Sequence, residues 1–293
     1  MIIWVKKHSL TLLMTAGLII GLGLLLYPTI ANYWNSFHQS RAIMEYSDTV
    51  ASLSEEDYEK ILSDAKEYNR KLGETGIIWN MSDEQKKEYN RQLKLDKTGI
   101  MGYVTIPQFR VRAPIYHGTN ENVLQTAIGH LEQTSLPVGG KSSHCQISGH
   151  RGLPSARLFT DIDKMTEGDT WTMTVLDKTV TYQCDKIYIV EPDDVSKLSI
   201  KAGKDQCTLI TCTPYGINTH RLLVKGHRIP NSDGNALMPA DAIQIEPKYV
   251  IPFLMAGILA IIILVTVISA KRAKRNDPKR IAKAFFDRLE FEK

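Results

Sequence analysis

At 293 residues with 43% apolar side chains, the chain can bury one substantial core and leaves little room for a second large domain once its hydrophobic ends are set aside. The formal net charge of +4 does not describe the body of the chain: residues 271–293 carry nine basic against four acidic side chains and Lys6 and Lys7 add two positives, which leaves the middle at −3. A mildly acidic middle gives no support to nucleic-acid binding, so no nucleic-acid partner is expected.

In chain order, Leu10 to Tyr27 is an uncharged apolar stretch preceded by Lys6 and Lys7, long enough to be a signal-anchor helix or the apolar core of a long signal peptide; residues 1–31 are assigned to it in either case. The next region, 32–98, is charged and free of proline from Arg41 to about Leu95, with Ile61, Leu62, Ala65, Tyr68 and Leu72 at helical spacing. Two helices fit there, broken near Gly73 to Gly76. Ser54 before Glu55, Glu56 and Asp57 is a capping signature for the first, and Ser82-Asp83-Glu84-Gln85 for the second. Their expected role is to pack on the main domain or to space it from a membrane.

The pattern changes at Gly99. Short alternating stretches then recur between turn residues: Tyr103 to Ile106, Gln146 to Ser148, Trp171 to Val175, Val180 to Cys184, Ile187 to Val190, Thr208 to Cys212 and His220 to Val224. Strands at this density predict a mainly β domain over 99–230, a barrel or sandwich rather than a βαβ sheet, with short helices or helical turns at Asn120 to Leu131 and Ala156 to Ile162. A linker over 231–249 leads to Val250–Ala270, uncharged and followed at once by Lys271, Arg272, Lys274 and Arg275, which reads as a transmembrane helix with a basic cytoplasmic tail at 271–293. Basic flanks outside both hydrophobic ends put the central region on the outer side of the membrane. That side permits disulfides, but Cys145, Cys184, Cys207 and Cys212 form no CxxC motif. Cys207 and Cys212 have opposite strand parity and do not pair; Cys145, Cys184 and Cys207 read as small core residues, with a Cys145–Cys184 bridge left open. No metal site, cofactor motif, phosphate loop or repeat is present, so neither metal nor cofactor is expected.

The chemistry concentrates at three residues. Pro214, Gly216 and Asn218 mark a turn between two strands, which brings Cys212 at the end of one and Arg221 at the start of the next to the same rim. A cysteine is nucleophilic as thiolate and needs a base or a positive charge nearby. Of the eight histidines, His8 and His38 lie in or beside the membrane-proximal segment, His117 and His130 in loop contexts, and His220 and His227 within the last strand. His150 differs because it follows Cys145-Gln146-Ile147-Ser148-Gly149 and precedes Arg151-Gly152-Leu153-Pro154, a strand-to-loop junction where reactive groups tend to sit.

On these residues the chain resembles the sortases, membrane-anchored cysteine transpeptidases, and within them the class C, pilin-polymerising branch. The resemblance runs from Gly99 to Pro230, through Gly99-Ile100-Met101-Gly102-Tyr103, Pro114-Ile115-Tyr116-His117-Gly118, Gly129-His130-Leu131-Glu132, Thr134-Ser135-Leu136-Pro137-Val138-Gly139-Gly140, Ser148-Gly149-His150-Arg151-Gly152, Leu158-Phe159-Thr160-Asp161 and the TLxTC run at Thr208, Leu209, Thr211 and Cys212 with Arg221 downstream. It implies an eight-stranded β-barrel with Cys212 as nucleophile, His150 as proton donor and Arg221 as stabiliser of the oxyanion or substrate backbone. The implied substrates are pilin or surface proteins bearing an LPxTG-like signal. The implied acceptors are a pilin lysine in the polymerising branch or a cell-wall precursor amine in an anchoring enzyme, and a non-catalytic scaffold that only docks sorting signals is the third reading. One departure stands out: the Asp-Pro-aromatic lid anchor of many class C members is absent between Arg41 and Gly99, and Trp79 in that region reads as a packing residue.

Overall fold

The computed structural model of the chain describes residues 2–95, 99–231 and a set of helical positions between 257 and 268. Apart from Asn231, the expected linker lies outside the described residues, as do the basic tail and much of the span at 250–270. The chain forms two compact units, residues 1–27 with 244–293 and residues 28–243. Helix α1 (Ile2–Ala51) opens the chain, and its N-terminal part is long and apolar enough to cross a membrane, with Leu13, Leu24 and Leu25 all exposed. It continues through Pro28. Helix α2 (Glu55–Thr75) starts on Ser54, whose hydroxyl accepts from the Asp57 N–H, and stops at Gly76, where a φ of 81° suits glycine. Helix α3 (Asp83–Tyr89) carries a full capping box between Ser82 and Gln85.

In the larger unit a closed eight-stranded barrel follows: β1 (Ile100–Ile106), β2 (Val111–His117), a one-turn helix α4 (Glu121–Leu124), β3 (Ile128–His130), β4 (Ser143–Ser148), β5 (Thr170–Val175), β6 (Lys178–Val190), β7 (Asp205–Thr213) and β8 (His220–Ile229). The strand order around it is β1-β2-β3-β4-β7-β8-β6-β5, with β5 closing on β1. The β2–β3 and β4–β7 pairs are parallel and the others antiparallel. Alternation turns one side chain in two inward, so Val104, Cys145, Ile147, Trp171, Cys207 and Leu209 fill the interior. The Trp171 and Tyr182 rings stack there at 6.0 Å. Gly226 makes that fit possible, because a Cβ would stand 2.2 Å from the Gln183 carbonyl and 2.6 Å from the Trp171 ring.

Three local readings change. Strand β2 contains Pro114, which argues against a strand in sequence, yet Val111, Ala113 and Ile115 face the core. The helical stretch expected at Asn120 to Leu131 is one turn followed by β3. The two stretches Val180–Cys184 and Ile187–Val190 are one strand with a bulge between Cys184 and Lys186, which shifts the inward parity from Cys184 to Ile187. All four cysteines are free: Cys145 sits opposite Cys207 across β4 and β7, and the bridge to Cys184 does not form.

The helices bury a second cluster against the outside of β1 and β5, built on Ile43, Tyr46, Leu62, Tyr89, Met101 and Leu176. Tyr46 fastens it twice, donating to the Met101 carbonyl at 3.0 Å and accepting from the Leu176 N–H at 2.8 Å. Asn69, 4% exposed, gives its amide N–H to the Leu136 and Gly139 carbonyls and accepts from the Leu136 N–H at 2.7 Å. Trp79 is exposed at 39%, so the expectation that it packs is not met.

Candidate active site

The site is set by the parity of β7 and β8. Cys207 and Leu209 point into the barrel, so Thr208, Ile210 and Cys212 point outward, and on β8 Leu222 and Val224 point inward, leaving Arg221 and Leu223 outward. Cys212 and Arg221 are register partners, which puts their side chains on one face at one end of the sheet, both partly exposed. Arg221 Nη1 donates to the Asn218 and His220 carbonyls at 3.3 and 3.2 Å, and among the described residues it has no carboxylate partner.

His150 reaches the same rim along the neighbouring strand. The parallel β4–β7 register ends at Ser148 opposite Ile210, and two further contacts extend it: Gly149 N–H donates to the Ile210 carbonyl at 3.1 Å, and Thr211 Oγ1 donates to the Gly149 carbonyl at 2.8 Å. His150 follows Gly149 as Cys212 follows Thr211, so both chain positions lie at the same end of the β4–β7 pair. Gly149 is required for the close passage, since a Cβ would come within 2.6 Å of Ile128 Cδ1 and 2.9 Å of the Phe159 ring. The Phe159 N–H then donates to the His150 carbonyl at 3.2 Å. His150 Nε2 lies 3.8 Å from Glu121 Oε1 on α4, beyond hydrogen-bond length.

The segment between β6 and β7, residues 191–204, forms a wall on the same outer face of the sheet that carries Cys212. Its Leu198 packs with Ile210, Leu223 and Val190 on the outer face of the sheet. Three consecutive carbonyls hold it down: Lys225 Nζ donates to Lys197 O at 2.9 Å, Gln146 Nε2 to Leu198 O at 2.8 Å and His144 Nδ1 to Ser199 O at 3.1 Å. Because Ser199 O only accepts, His144 carries its proton on Nδ1 and its Nε2 accepts from Thr208 Oγ1 at 2.7 Å. Burial pushes His144 down to about 4 and Lys225 to about 8. The sequence reading did not pick out His144, Gln146 or Lys225. Their signal was there: polar residues alternating with the core positions Cys145, Ile147 and Val224, which marks a sheet whose outer face is itself covered.

Cys212 and Arg221 thus share one face as register partners, and His150 follows directly on Gly149, whose carbonyl is bonded by Thr211. Residues 104–229 match the Sortase domain family model. The chain is 57% identical to sortase C1 of Streptococcus agalactiae, covering 65% of this chain and 99% of that one, with a TM-score of 0.64. It is 43% identical to Streptococcus pneumoniae sortase C, a structure that addresses catalysis and pilin substrate specificity, over 65% of this chain and 97% of that one with a TM-score of 0.59. A Clostridium perfringens sortase C, solved with the C-terminal cell wall sorting motif, is 36% identical over 65% and 98% of the two chains, with a TM-score of 0.58.

Proposed function

The chain belongs to the sortase family of cysteine transpeptidases, with class C sortases among its structural neighbours, and from that premise we propose that it polymerises pilin subunits through a thioacyl intermediate on Cys212. What supports this reading is the register pairing of Cys212 with Arg221 and the bond from Thr211 to the Gly149 carbonyl, one residue before each of Cys212 and His150. The Cys212 thiolate attacks the threonine carbonyl carbon of an LPxTG-like signal. The Arg221 guanidinium, permanently charged and among the described residues bonded only to backbone carbonyls, turns its donors to the oxyanion that forms. Collapse breaks the carbon–nitrogen bond, and His150 as imidazolium gives its proton to the departing glycine amine. A lysine amine of a second pilin then attacks the thioester carbonyl, losing its proton to His150 and expelling the Cys212 thiolate, which leaves an isopeptide bond between subunits. No cofactor or metal enters the scheme.

The apolar part of α1 anchors the enzyme, and in this reading the barrel works on the outer surface of the cell, with a second span at 250–270 returning a basic tail to the cytoplasm. The test uses the full-length protein in detergent micelles with a lysine-bearing pilin subunit and an LPxTG-type signal. Covalent ladders that disappear in Cys212→Ala are expected. Cleavage without ladders, with transfer to a wall-precursor amine instead, would overturn polymerisation in favour of wall anchoring.

A further inference from the structure

The residue after His150 is a second cation that this scheme leaves unused. The Arg151 side chain is only 9% exposed, and its Nη2 meets Asp163 Oδ2 at 2.5 Å in the 3-10 turn Ile162–Lys164. Its Nη1 donates to Thr213 Oγ1 at 3.1 Å, and its Cζ lies 5.7 Å from the centre of the Tyr215 ring. Arg151 follows His150 and Thr213 follows Cys212, so one guanidinium joins the residues next to the proposed acid and the proposed nucleophile. The β4–β7 lacing otherwise ends at the Thr211 to Gly149 bond, short of both reactive side chains. Among the described residues, Arg151 Nε is buried without an acceptor. A pair kept only for stability has little use for a buried charge with an idle donor, because desolvation opposes it.

We propose that Arg151 is a positioning residue: held by Asp163 through Nη2, it grips the Thr213 hydroxyl through Nη1 and so fixes the separation of His150 and Cys212. This rests on the thioacyl scheme above. A lysine cannot replace it, since a single ammonium does not span Asp163 and Thr213 in one plane.

The experiment follows cleavage of an LPxTG-type peptide by the full-length protein in detergent, with the thioacyl adduct on wild-type Cys212 read by intact mass. Arg151→Met is expected to lower kcat by about tenfold or more while KM stays within about twofold, because misplacing reacting groups costs rate rather than binding. Arg151→Lys should not restore kcat. Thr213→Val, which removes only the accepting hydroxyl, should reproduce most of the loss, and the double variant should be no worse than Arg151→Met alone. Wild-type kcat in Thr213→Val, or additive losses, overturns the proposal; Thr213→Val decides it even if Arg151→Met fails to fold. A wild-type enzyme that cleaves with no adduct on Cys212 overturns the underlying scheme instead, and the positioning role with it.

Discussion

Each of the two threonines of the TLxTC run has a physical task beside Cys212. Thr211 donates to the Gly149 carbonyl and so aligns the residue before His150, and Thr208 donates to His144, which holds the wall segment at Ser199. A short motif therefore specifies two strands at once. His144 and His130 share one electrostatic condition: burial pushes both down to about 4, and His130 is neutral with its Nε2 proton on the Ser135 carbonyl and its Nδ1 beside the Tyr89 hydroxyl. In the unfolded chain each titrates near 6.5. Between those values the unfolded state binds protons that the folded state refuses, so the stability these groups contribute is complete above about pH 6.5 and is lost as pH falls toward 4, by about 3 kcal/mol per histidine at most. The melting temperature should be flat from pH 8 to 7 and drop steeply from 6.5 to 4, and His144→Gln should shallow that drop. A melting temperature unchanged down to pH 4.5 contradicts this account. What sequence alone could not supply at this scale was partnership across distance: Arg151 finds Asp163 twelve positions away and Thr213 sixty-two away, and no local pattern announces either bond.

At the scale of elements, the hairpin of β7 and β8 was legible because turn residues fix its register, and register sets which side chains share a face. Strand β2 was not, since Pro114 speaks against a strand when read locally, and β6 looked like two strands because its bulge breaks the period of two. The capping residues Ser54 and Ser82 foretold both helix starts, as caps are local. How the helices dock is not local. Asn69 is the clearest tie, its buried amide joining α2 to the Leu136–Gly139 stretch through three hydrogen bonds. Asn69→Ala removes these and leaves the Leu136 N–H and carbonyl buried without it, so a loss of about 2–4 kcal/mol is expected, read as a lower melting temperature. A melting temperature within a degree of wild type would show that α2 is held by its apolar face alone.

In the larger unit, the helices bury the outside of β1 and β5, while the arc of β4, β7, β8 and β6 carries the wall segment on its outer face. The barrel therefore has one side covered by helices and another that, in the proposed reading, carries the chemistry. Strand density predicted a barrel or sandwich and the family resemblance chose the barrel, whereas the wall's anchoring on Lys225, Gln146 and His144 emerged only with the fold. The central claim is that Cys212 becomes acylated with help from its two neighbours. It is tested most directly by mixing the full-length protein with an LPxTG-type peptide and measuring intact mass over time. A mass increase equal to the acyl fragment, mapped to Cys212, is predicted for wild type, absent in Cys212→Ala, and formed at least about a hundredfold more slowly in His150→Ala and Arg221→Ala with the melting transition unchanged. Acylation at another residue, or at wild-type rate in both neighbour variants, would contradict the account.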